Sequence, residues 1–152
     1  MIVLDCCAAM EMVQGTPRGR AFDALLYEGE KVLAPEFFKI EVRNSLWKYA
    51  AAGKADPETI AYYTRTALGL VDEFVPTDEN IEEAYAEAVL RKHPVYDMLY
   101  ATLARRNACA FFTADKKLMR LCETMGVNVV AEVPWPPTGK EWAETQKAKA
   151  CW

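Results

Sequence analysis

Apolar residues fall along the chain in two alternating rhythms: short unbroken runs, and longer stretches where they return every three or four positions. Ile2-Val3-Leu4 is the first short run and predicts a buried strand, after which Cys6 to Val13 opens a helix. A second helix, from about Pro17 to Tyr27, turns Ala21, Leu25 and Leu26 inward and Arg18, Arg20 and Glu28 outward, and Gly29 ends it. Lys31 to Ala34 is another strand. Pro35 suits the first turn of a long helix that reaches about Ala52 and is closed by Gly53, and Asp56-Pro57 starts the next, to about Leu70. Val71 to Val75 predicts a third strand and Asp78 to Lys92 an amphipathic helix. Val95 to Arg106 predicts another helix, with Leu99, Tyr100 and Leu103 on one buried face. Cys109 to Thr113 is a strand, Asp115 to Met125 a helix stopped by Gly126, and Val127 to Val130 a last strand.

Strands separated by helices imply an α/β fold: a parallel sheet of roughly five strands, helices on both faces, right-handed crossovers. The 152 residues suit one such domain, spanning 1–133, and Pro134-Trp135-Pro136-Pro137 ends it. The remainder, 134–152, is expected to form a polar helical tail or partner-binding arm. The start lacks the basic and apolar regions of a secretory signal, and no apolar run approaches a membrane span, so a cytoplasmic protein without membrane contact is expected. Cys6, Cys7, Cys109, Cys122 and Cys151 show no zinc-ligand spacing or disulfide framework and read as reduced, mostly small core residues.

A net charge of -4 argues against binding nucleic acid by charge alone. The positions of the acids weaken that objection, because carboxylates gathered around divalent ions are neutralised there and then attract phosphate. Asp5 and Asp115 each follow an apolar strand, where open parallel sheets place their ligand sites. Glu41 lies inside Phe37-Phe38-Lys39-Ile40-Glu41-Val42, on a helical face with Phe37, Ser45 and Asn44, and an acid there needs a partner. Asp97 begins a helix whose other inward positions, Tyr100, Ala101 and Ala104, read as packing.

Taken in order, strand-Asp5, then Glu41-Val42-Arg43-Asn44-Ser45-Leu46, then Tyr96-Asp97-Met98-Leu99-Tyr100-Ala101-Thr102-Leu103-Ala104, then Thr113-Ala114-Asp115-Lys116-Lys117-Leu118, this pattern resembles the PIN domain family, and within it the VapC toxins. The similarity runs from Met1 to about Val133. It implies a five-stranded parallel sheet between helices and a metal-dependent endoribonuclease with Asp5, Glu41, Asp97 and Asp115 around Mg2+ or Mn2+. It also implies an antitoxin protein as inhibitor and a homodimer. On this resemblance Asp5 and Asp97 are the main ligands of a first ion and Asp115 serves a second ion or a bridging water. Glu41 acts through water or orients the nucleophile, and Thr113 and Asn44 are supporting residues. Lys116, Lys117, Arg120 and Arg43, with Arg105 or Arg106, are candidates for the RNA backbone. The chain departs from the pattern at Cys6, where many members carry Ser or Thr, and at Met98, where Ala is usual.

Plainer readings stand beside these. Asp5, Asp97 and Asp115 each precede or begin a helix and could be N-caps, Glu41 could be a surface acid, and Lys and Arg are by default solvated surface. A PIN fold without turnover, binding nucleic acid or protein partners, is the alternative function. His93, the only histidine, reads as a loop residue before Pro94, although with Cys6 or Cys7 it would be needed for a thiol hydrolase. A dehalogenase-type phosphatase needs a second acid two residues after Asp5, and Cys7 stands there instead.

Overall fold

The computed structural model describes residues 1–26 and 29–130. The tail assigned to 134–152 therefore lies outside the described residues. Four short strands, β1 (Ile2–Leu4), β2 (Val32–Pro35), β3 (Glu73–Val75) and β4 (Ala110–Phe112), form one parallel sheet in the order β3-β2-β1-β4. Ile2 pairs with both Val32 and Ala110, and Leu33 pairs with Glu73. The run expected as a fifth strand, Val127 to Val130, makes a single parallel bridge between Val129 and Phe111.

Among the described residues six helices connect the strands, α1 (Cys6–Val13), α2 (Pro17–Leu25), α3 (Phe38–Ala51), α4 (Pro57–Gly69), α5 (Ile81–Arg91) and α6 (Val95–Arg106), and α7 (Lys116–Thr124) follows β4. Consecutive residues of a strand point to opposite faces of the sheet. The ring of Phe112 accordingly meets Phe22 of α2 at 5.4 Å between centroids, while Phe111 stacks on Tyr100 of α6 at 6.3 Å. Helices thus cover both faces, and the apolar runs of β1 and β2 are buried throughout.

Local chemistry explains most helix starts. Thr16 accepts from the Gly19 amide ahead of Pro17, and Asp56 accepts from the Thr59 amide ahead of Pro57, so each pair caps and then seeds a helix. Gly19 is required by packing: a Cβ there would lie 1.9 Å from the Glu11 carbonyl oxygen of α1.

Three expectations are corrected. Pro35 ends β2 instead of opening α3, because the Glu36 amide is taken by the Val75 carbonyl and the sheet claims this segment. Thr77–Glu79 forms a 3-10 turn and α5 begins only at Ile81, because buried Asn80 donates from Nδ2 to the Leu99 carbonyl and the Thr102 hydroxyl, pinning the chain to α6. Helix α6 is not one-sided: Met98 to Ala104 are all buried, since α6 packs against β1, β2 and β4 and against α5. Cys6, Cys109 and Cys122 are buried free thiols, and Cys7 is exposed. Among the described residues no helix is long and apolar enough to cross a membrane.

Candidate functional site

The strand order reverses at β1, with β2 on one side and β4 on the other, and the crevice beyond the carboxyl ends of two such strands is where open α/β sheets bind ligands. Asp5 follows β1 and Asp115 follows the β4 segment, so the sheet brings these acids to one end although they stand 110 positions apart in the chain. Helices α3 and α6 supply two more. Asp5, Glu41, Asp97 and Asp115 together line a cavity of about 170 Å³, completed by Cys6, Cys7, Tyr100 and Leu118.

Two of the acids that line the cavity are also helix caps, as the plain reading of the sequence has it. Asp5 Oδ1 accepts from the Ala8 amide at 2.8 Å, and Asp115 Oδ1 accepts from the Lys117 and Leu118 amides at 2.7 and 3.1 Å. The Cys7 thiol donates toward both Asp5 oxygens at 3.1 Å. Thr113 Oγ1 accepts from the Asp115 amide at 3.1 Å, which fixes the loop that carries the acid. On α3, Glu41 accepts a hydrogen bond from the Tyr100 hydroxyl. On α6, Asp97 sits in the first turn, with Oδ2 2.8 Å from His93 Nε2.

Burial and crowding dominate the electrostatics. Desolvation is the main influence on Asp5, opposed by its hydrogen bonds from Ala8, Thr113 and Cys7 and reinforced by the charge of Asp97, and its carboxyl is pushed up to about 6. Glu41 is pushed up to about 7, first by burial and then by the charges of Asp5 and Asp97, against the Tyr100 hydrogen bond. Asp97 is likewise raised by burial, with His93 opposing. Desolvation also pushes the Cys6 thiol up to about 12 and raises Cys7, so both are protonated and neither offers a reactive thiolate near neutral pH.

Among the described residues no three His, Cys, Asp or Glu side chains already converge on a common point at ligating distance. The donor set nevertheless suits a hard divalent cation: four carboxylates face one small cavity, and all their ligating atoms are oxygen.

The other residues read from the sequence fall in several places. Lys116, Lys117 and Arg120 are exposed on α7 beside Asp115. Arg43 is exposed on α3 and folds back, donating to the Lys39 carbonyl at 2.7 Å. Asn44 does not line the cavity: it is exposed and accepts from Trp47 Nε1 at 2.8 Å. Ser45 instead approaches the Cys6 sulfur at 3.6 Å. Arg105 and Arg106 are engaged with Glu83, and Arg105 also with Glu87, on the α5–α6 side. Arg18, assigned only to surface by the sequence, reaches across from α2 to donate to the Ala114 carbonyl at 3.2 Å, next to Asp115. His93 lies in the loop between α5 and α6, as expected, but its side chain is turned inward, only 7% exposed, and contacts Asp97. The four-residue step from His93 to Asp97 was a readable cue, masked by Pro94 between them.

A family model described as PIN domain matches residues 2–123. In three dimensions the chain is similar to the crystal structure of PAE2754 from Pyrobaculum aerophilum, with a TM-score of 0.62 and 23% identity over 82% of this chain and 92% of that one, a likeness in fold. No curated protein matches the sequence.

Proposed function

Since the chain belongs to the PIN domain family, whose members are generally nucleases, we propose that it is a Mg2+- or Mn2+-dependent endoribonuclease working at the Asp5–Glu41–Asp97–Asp115 cavity. One observation carries this reading: four acids from β1, α3, α6 and β4, far apart in the chain, line the same small cavity at the switch point of the sheet. Four intact carboxylates favour turnover over a silent binding module.

In this reading Asp5 and Asp97 are the principal metal ligands, with Asp115 at a second ion or a bridging water. A bound divalent ion supplies a more acidic water and positive charge for the phosphoryl oxygens. Glu41 orients the attacking water or takes its proton, held in place by the hydrogen bond it accepts from the Tyr100 hydroxyl. Lys116, Lys117 and Arg120 bind the RNA backbone beside the cavity and offset locally the net charge of -4.

The finer reading is a VapC-type toxin, homodimeric and inhibited by an antitoxin. Ile40 and Trp47 on α3, and Tyr85, Val89 and Leu90 on α5, are large apolar side chains left exposed, which supports a reading with protein partners.

Incubation of the purified chain with a mixed RNA pool and Mn2+ tests the enzyme reading. Cleavage is expected from the parent and is expected to fall at least about 100-fold in Asp5→Asn and Asp97→Asn. Variants that cleave as fast as the parent remove the assignment.

A further inference from the structure

The loop between α5 and α6 holds its one histidine against the site. Lys92, the C-cap of α5, has a left-handed φ of 54°, a conformation unusual for a side chain of its kind, and its amide returns to the Ala88 carbonyl. The His93 amide also bonds to Ala88, and Pro94 then begins the next helix. This turn places the imidazole inward, with its side chain 7% exposed. Nε2 is enclosed and has no hydrogen-bond partner aligned with it, while Asp97 Oδ2 stands 2.8 Å away. A buried ring nitrogen is stabilised by an acceptor, and here that acceptor is the carboxylate of a cavity acid.

We infer that His93 is a positioning residue for Asp97: its Nε2–H holds Oδ2, fixes the rotation of the carboxylate and leaves Oδ1 presented to the cavity. The neutral imidazole suffices, because it needs only the Nε2 tautomer with Nδ1 as the acceptor. The contact acts on metal binding through Asp97, since groups that hydrogen-bond a ligating carboxylate set its orientation and typically change metal affinity 10- to 100-fold. Cys7 and Thr113 hold Asp5 in a comparable way, and Tyr100 holds Glu41, so Asp5, Glu41 and Asp97 each have an orienting neighbour. This inference rests on the metal-site reading above.

Mn2+ affinity measured by calorimetry on the whole chain, without RNA, is the test. His93→Leu is expected to weaken Mn2+ binding about 10-fold or more. His93→Gln, which can offer an N–H at similar reach, is expected to restore most of it, and both variants are to keep the circular dichroism spectrum of the parent. In an Asp97→Asn background, His93→Leu is expected to change Mn2+ affinity by less than about 2-fold, because the contact it removes no longer serves a ligand. If the parent binds Mn2+ and Asp97→Asn weakens it, yet His93→Leu binds as the parent does, the positioning role is overturned and the metal site stands. A loss that is as large in the Asp97→Asn background, or that His93→Gln does not restore, also overturns it. A parent that binds no Mn2+ overturns both readings.

Discussion

Glu41 is a helix residue with an unusual surround: the Tyr100 hydroxyl satisfies one oxygen, while burial and two neighbouring acids disfavour its charge. The folded form holds the Glu41 and Asp5 protons more tightly than the unfolded chain does, their carboxyls being raised to about 7 and about 6. Their contribution to stability is therefore complete below about pH 4 and disappears as pH rises through 6 to 7, so the metal-free fold is weaker at pH 8 than at pH 5 on their account. Glu41→Gln keeps an acceptor for Tyr100 and removes the charge. Its metal-free melting point at pH 8 is expected to exceed the parent's by the equivalent of about 1–2 kcal/mol, discounted for partial exposure, and to match it at pH 4. Thermal melts across this range check the sign, and a variant that melts lower at pH 8 contradicts the buried-charge account.

At the level of elements, two acids do double duty, and this explains what the sequence could and could not disclose. Asp5 and Asp115 follow apolar strands and cap the next helices, so their positions were legible from the periodic pattern alone. Replacing Asp115 by Asn keeps an N-cap, whereas Ala removes it. Asp115→Ala is expected to lose about 1 kcal/mol of stability in urea melts beyond any change in Asp115→Asn, while both lose RNA cleavage. Equal stability of the two variants would show that the cap is not structural. Spacing alone could not choose between Asn44 and Ser45, three and four residues after Glu41; in the fold Asn44 is taken up by Trp47 and Ser45 approaches Cys6. Arg18 was not legible as a site neighbour, since the Ala114 carbonyl meets it through a helix crossing that residue spacing does not encode, whereas the four-residue step from His93 to Asp97 was in the sequence but interrupted by Pro94. The start of α3 was placed early for a related reason: Pro35 fits a first helical turn, but β3 competes for the same segment and prevails.

For the molecule as a whole, the core belongs to the sheet and its helices, with Val3, Leu4, Phe38, Phe111 and Met98 wholly enclosed, so the fold does not depend on a metal. A chelator is expected to stop RNA cleavage while leaving far-ultraviolet circular dichroism unchanged. Mn2+ at about 100 times its dissociation constant is expected to raise the melting point by several degrees at pH 8, the equivalent of about 2.7 kcal/mol. Unfolding on chelation would contradict the enclosed core. The order of the strands has one more outcome, in time rather than in space. The middle strand is made first, at Ile2–Leu4, yet one flank stays bare until Ala110–Phe112 is synthesised. A growing chain that stops short of that point holds Asp5 without Asp115 and without the neighbour that β1 needs on that side, so the four-acid cavity closes only once β4 has been added.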